Sequence, residues 1–265
     1  MGHGTRPVRL DKLWAMLEPL ESRLSSCSLR QLIEVRNHLE SLPEVATFEQ
    51  AAQRTTQVIY AAFRSSLVLV RTFLTVPFGQ LPRDTQNTVR DAARAHQVAD
   101  LVRPDTLVLS LAGTAGSQPT WNDRKMSRRH QGIPLVSSHF VQSIPMTSRL
   151  LNQMGLGVGW IDTTDVSMFE QNMASRLFYV PDAATTVDGL LRKVIPDQDF
   201  VRTYGVKTVF GVGGSYVMQQ SALLVMVVFC AEPVPKSVAE LFSTLTTQLV
   251  AKTYSLVRDG ALFRF

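Results

Sequence analysis

The stretch Ser66-Leu67-Val68-Leu69-Val70-Arg71-Thr72-Phe73-Leu74-Thr75-Val76 decides the fold. In an extended chain Val68, Val70, Thr72 and Leu74 fall on one face, and Leu67, Leu69 and Phe73 mostly on the other. A strand apolar on both faces must be covered on both, so this run predicts a central strand. Upstream, Phe48 to Phe63 reads as a helix with Thr47 as its cap. Downstream, Pro77 and Pro82 punctuate, Asp84 to His96 reads as a helix, and Pro104 to Gly113 reads as a second strand ending in a glycine-rich loop.

Further out, Thr114 to Ser143 is polar and aperiodic, the kind of long segment that is usually functional or mobile. Pro145 to Met154 reads as a short helix and Gly155 to Ile161 as a strand. Leu177 to Val180, Val206 to Val212 and Leu223 to Cys230 complete the expected strands, with a helical turn over Pro196 to Tyr204. Gly213 and Gly214 between the last two strands favour an antiparallel hairpin, the better reading of Phe210 to Gly214 than a phosphate loop, because no Lys and no helix start follow.

Helices bracket this core. Leu10, Leu13, Leu17, Leu20 and Leu24 recur at spacings of three and four, a seam seeking a partner. Ser28 with Gln31 resembles a capping box that restarts a helix with Leu32, Val35 (or Arg36), Leu39 and Leu42 on its seam, ended by Pro43. After Pro233 and Pro235, Val238, Phe242, Leu245, Leu249 and Leu256 mark the last helix. The expected class is α/β of the α+β type: a mainly antiparallel sheet flanked by helices, with residues 1–45 as an N-terminal helical extension and 46–265 as the main domain.

Composition bounds the function. In 265 residues 45% are apolar and 18% charged, which excludes a disordered tail, a collagen and a disulfide miniprotein. The two Cys, Cys27 and Cys230, are far apart and in no metal-ligand spacing, and the start of the chain has no hydrophobic signal core, so a reduced, cytoplasmic setting is expected. No apolar run approaches the roughly 20 residues of a spanning helix, so membrane insertion is not expected. A net charge of +5 allows an anionic ligand without the density of a nucleic-acid arm.

From about Thr47 to Val257 the chain resembles a GAF-type sensory domain of bacterial signalling proteins. The resemblance rests on the helix Phe48 to Phe63 feeding the strand around Leu67 to Phe73. It rests also on Ile195-Pro196-Asp197-Gln198-Asp199-Phe200-Val201 and Tyr204 to Gly214 preceding Leu223 to Cys230 and a terminal helix. It implies an antiparallel sheet of about six strands, helices on one face and a small-molecule pocket under irregular loops on the other. It also implies signalling rather than catalysis. Nothing after Val257 resembles an output module, so output is expected through a partner protein or dimer geometry.

The most chemically loaded stretch is Trp121-Asn122-Asp123-Arg124-Lys125-Met126-Ser127-Arg128-Arg129-His130, with His139 beyond it. Trp supplies a stacking surface, Arg a planar fork for carboxylate or phosphate, and His a donor or acceptor near neutral pH. Trp121, Asp123, Arg124, Arg128, His130 and His139 are therefore the expected ligand contacts, and the solvated surface loop is the alternative. His130, His139 and Asp123 match no metal spacing, no G-x-S-x-G elbow is present, and no catalytic constellation is legible, so neither metal nor enzyme is expected. No cofactor is identified. Leu13, Leu17, Leu20, Leu24, Phe242, Leu245 and Leu249 are the expected homodimer or partner surface, with packing on the chain's own sheet as the alternative. The leading expectation is a ligand-binding sensory domain, and the second a ligand-free dimeric scaffold.

Overall fold

A computed structural model describes residues 23–127, 131–163, 177–216 and 222–264. The central feature is a six-stranded sheet in the order β3-β2-β1-β6-β5-β4. Its strands are β1 (Leu67–Pro77), β2 (Leu107–Gly116), β3 (Gly132–Pro134), β4 (Leu177–Val180), β5 (Thr208–Ser215) and β6 (Leu223–Cys230). Every neighbouring pair is antiparallel. β1, read as central, lies between β2 and β6.

One face carries helices. α1 (Leu29–Ser41) begins at the expected capping box, where Ser28 and Gln31 bond reciprocally, and α2 (Phe48–Ala62) begins at Thr47, whose hydroxyl accepts from the Gln50 amide. α2 packs on β1 and β2 so closely that a Cβ on Gly113 would stand 2.6 Å from the Ala52 carbonyl oxygen. Beside it the Thr56 and Thr72 hydroxyls share a 2.8 Å hydrogen bond. Gly113 therefore belongs to the strand, which runs on to Gly116. The expected glycine-rich loop is corrected, because that glycine is a helix contact. A bulge between Thr72 and Phe73 absorbs one extra residue of β2 at this point.

α3 (Arg83–Ala95) lies beside β3. The second face is covered by α4 (Ser138–Gln142), α5 (Pro145–Gln153), α6 (Trp160–Thr163), α7 (Gln198–Thr203) and their connections. The strand expected over Gly155 to Ile161 is absent. Gly155 at φ 78° and Gly157 at φ 62° turn the chain out of α5, the Leu156 amide closes back on the Leu151 carbonyl, and α6 follows. Left-handed glycines end a helix in this way and cannot lie in a strand.

α8 (Lys236–Leu241) and α9 (Ser243–Arg258) return to the first helical face. Here a second expectation is corrected. Leu24, Phe242, Leu245 and Leu249, assigned to a subunit surface, are between 0% and 3% exposed. Leu24, Phe242 and Leu245 share one apolar cluster with Leu32, Val35, Leu39, Ile59, Phe63 and Phe210, and Leu249 packs with Phe48 and Leu224. The seam is this chain's own core, because a sheet face apolar along its whole width offers the nearest cover. The segment before Thr47 is thus not set apart where it is described. Leu13, Leu17 and Leu20 lie outside the described residues. Among the described residues no helix is long and apolar enough to cross a membrane.

Candidate functional site

Alternation along β1 sends Thr72 and Leu74 toward α2 and sends Leu69, Arg71 and Phe73 to the opposite, loop-covered face. Arg71 is the one charged side chain of that strand. Its backbone neighbours across the sheet are Thr114 on β2 and Val227 on β6, and Val227 in turn faces Gly211, which faces Phe178. The floor at this level therefore grades from a cation and a hydroxyl near β2 to apolar surface near β4.

The Arg71 guanidinium has little to hold it. Nη2 donates one long hydrogen bond, 3.4 Å, to the Ser127 hydroxyl, while Nε is buried without an acceptor. Among the described residues no carboxylate pairs with it. Burial with no compensating anion depresses its pKa to about 10. An ionised group in such a place is costly unless an anion reaches it.

The stretch expected to form a ligand lid does something else where it is described. β3 pairs only with Val108 to Ser110, so the rest of the β2 edge would be bare. Gln53 from α2 fills part of it: its side-chain amide exchanges hydrogen bonds with the Thr114 amide (3.0 Å) and carbonyl (2.8 Å). Asn122 does the same for Gly116, at 3.0 and 3.2 Å. The polar segment is thus an edge cover, which satisfies backbone groups a neighbouring strand would have taken.

Trp121 is partly exposed and packs edge-on against Tyr204 at 4.6 Å and Phe200 at 5.6 Å, over Gly116, where a Cβ would come within 2.8 Å of its ring. Asp123 turns its carboxylate to the Lys125 amide at 2.9 Å. Arg124 is corrected as a ligand contact. It is 3% exposed, ion-paired with Glu49, bonded to the Thr85 hydroxyl at 3.3 Å and stacked 5.1 Å from the Phe263 ring centre. Glu49 also accepts from the Arg264 amide, so this arginine locks α2, α3 and the 261–264 segment together. His139 is exposed on α4, and no contact joins it to Trp121 or Asp123. Arg128 and His130 lie outside the described residues.

Sequence reasoning passed over Arg71. The signal was present: one cation inside a strand otherwise apolar on both faces must either be paired or await a partner. Among the described residues no group of three His, Cys, Asp or Glu is placed to hold a metal. Cys230 is buried on the helical side of β6 and Cys27 packs in the same cluster, away from Arg71. Burial pushes the Cys27 thiol up to about 11 and the Cys230 thiol well above its ordinary value.

A groove of about 180 Å³ lies between α1, α2 and α9, lined by Leu42, Pro43, Val45, Arg54 and Lys252 among others. Its cations are already engaged. Lys252 donates to the carbonyls of Leu39, Glu40 and Leu42, closing the C-terminal end of α1, and Arg54 donates to the Pro43 carbonyl.

No family model and no curated protein matches the chain. Among solved structures it is similar to the phycocyanobilin-bound GAF domain from a cyanobacterial phytochrome, at 13% identity and a TM-score of 0.45, over 88% of this chain and 98% of that one. It is also similar to the GAF domain from an Acinetobacter phosphoenolpyruvate-protein phosphotransferase, at 11% identity and a TM-score of 0.41, over 89% of this chain and 96% of that one. Both are GAF domains, the family the sequence resembles.

Proposed function

We propose that the chain is a sensory or regulatory domain that binds a small anionic molecule on the loop-covered face of its sheet, without catalysing a reaction. The observation that carries this reading is Arg71, a partly buried guanidinium on a central strand with one long hydrogen bond and no anionic partner among the described residues. A carboxylate or phosphate would supply the bidentate partner that the fork geometry suits. The apolar residues at the same level, Val227 and Phe178, favour an anion carried on an apolar body. Trp121 and Ser127 border the site in this reading, and Arg128 and His130 remain proposed contacts.

Occupancy would act through the differential affinity of two conformations for the ligand, and output would pass to a partner protein or a second copy. The scaffold alternative is weakened, because the four of its seven interface residues that are described lie in the core. A thermal-shift titration with inorganic phosphate, citrate and benzoate tests the reading. A saturable rise in Tm beyond that of chloride at equal ionic strength, lost in Arg71→Gln, is expected. No anion-specific rise from any of the three would overturn it.

A further inference from the structure

Two adjacent leucines stand out on the surface opposite the helical layer. Leu190 is 74% and Leu191 81% exposed, well beyond the other large exposed apolar side chains among the described residues, and Val187 beside them is also exposed. They occupy the tip of a small hairpin closed by a bridge between Val187 and Lys193.

The exposure is enforced. The Asp188 carboxylate accepts from the Leu190 amide (2.9 Å), the Arg192 amide (3.0 Å) and Arg192 Nε (2.8 Å), and the Leu191 amide donates to the Asp188 carbonyl. Arg192 also ties the hairpin to the Gln142 carbonyl at 2.8 Å. Leu191 sits at φ 61°, a left-handed conformation that a leucine adopts only under strain. The tip therefore carries both an exposed apolar pair and a strained backbone, and neither serves packing within the chain. Strain that persists in a well-braced loop points to a contact outside it.

We propose that the hairpin Val187 to Lys193 is a docking spike that seats Leu190 and Leu191 in the interfacial layer of an anionic lipid bilayer. A convex tip two residues wide suits a surface that yields around it. Arg149, bonded to the Val187 carbonyl, and Lys193 add positive charge at the base. Arg192 balances Asp188, and Asp182 is turned to the amides of Ala184 and Thr185. Two leucines alone give marginal membrane affinity, so attraction between these cations and anionic lipid completes the binding. This surface docking needs no spanning helix, and a hydropathy window cannot detect two residues.

The test is co-sedimentation of the full chain with vesicles of phosphatidylcholine alone and of equal parts phosphatidylcholine and phosphatidylglycerol. Binding to the mixed vesicles is expected, with loss on pure phosphatidylcholine and at high salt. The double variant Leu190→Ser, Leu191→Gly is expected to bind at least about tenfold more weakly. It should melt at or above the wild-type temperature, since glycine relieves the strained position. Leu190→Ser alone, which leaves the backbone untouched, should weaken binding in the same direction. The inference is overturned if the wild type does not sediment with the mixed vesicles, or if both variants bind as well as it does. Loss of a concentration-dependent dimer in the variants, without vesicle binding by the wild type, would assign the tip to a second copy instead. None of these readouts depends on Arg71, and the anion response should survive in every variant.

Discussion

Replacing Arg71 by methionine should raise the stability of the unliganded protein while abolishing its response to anions. Methionine keeps the apolar stem and removes the guanidinium whose Nε has no acceptor. Exchanging buried ionic groups for apolar side chains of similar size is often neutral or stabilising by about 1–4 kcal/mol. Arg71 keeps partial exposure and one 3.4 Å hydrogen bond to Ser127, so the gain belongs at the low end, about 1 kcal/mol. For a chain of this length that raises Tm by about 2–4 °C. Because burial holds the group's pKa at about 10, below its free value, the charged form is penalised throughout the neutral range, and the penalty is relieved only as pH rises through that value. A ligand at one hundred times its Kd adds about 2.7 kcal/mol to the wild type and nothing to the variant. Melting temperatures recorded with and without anion should therefore change order: variant above wild type without it, wild type above variant with it. A variant that melts several degrees lower without anion, and still gains stability from anion, would refute the reasoning.

Arg124→Met should do the opposite, costing about 3–5 kcal/mol by urea denaturation, because it leaves the Glu49 carboxylate with its charge unpaired among α2, α3 and the 261–264 segment. A loss under about 1 kcal/mol would show that the ion pair is not structural. Gly113→Ala drives a methyl group to 2.6 Å from the Ala52 carbonyl and should cost about 1–3 kcal/mol, whereas the same change at Gly189, where a Cβ meets nothing, should leave the denaturation midpoint within error. Both thiols should resist iodoacetamide at pH 8 in the native protein and react only on unfolding, since burial pushes Cys27 up to about 11 and Cys230 well above its ordinary value. Rapid loss of either native thiol would contradict their placement.

Much of the fold was legible because its cues are local. Thr47 and Ser28 announce helix starts through hydrogen bonds to residues three positions on. The double-faced run Leu67 to Val76 could only be central, since no single cover hides both faces. Gly155 and Gly157 misled, because a glycine flanked by apolar residues has the same letters in a strand and in a left-handed helix end. The site was less legible. The segment 121–127 is rich in the residue types that bind ligands, yet Asn122 is committed to the β2 edge and Arg124 to Glu49, partners that sequence distance conceals.

The sequence by itself determined the long helices, the strands other than β3, the central position of β1 and the α+β class, which follow from periodicity and capping within a few residues, whereas β3 and the helix over Ser138–Gln142 carry no such periodicity. Only the tertiary structure decided which apolar seams became core and which cations found partners. Leu24, Phe242 and Leu245 are buried because the sheet's own apolar face is their nearest cover, and a chain read in one dimension does not show that distance. Among the described residues Arg124 has a carboxylate partner and Arg71 has none, although both are arginines beside polar residues. The difference is a carboxylate 75 residues from one of them and, among the described residues, none paired with the other, since ion pairing depends on separation in space.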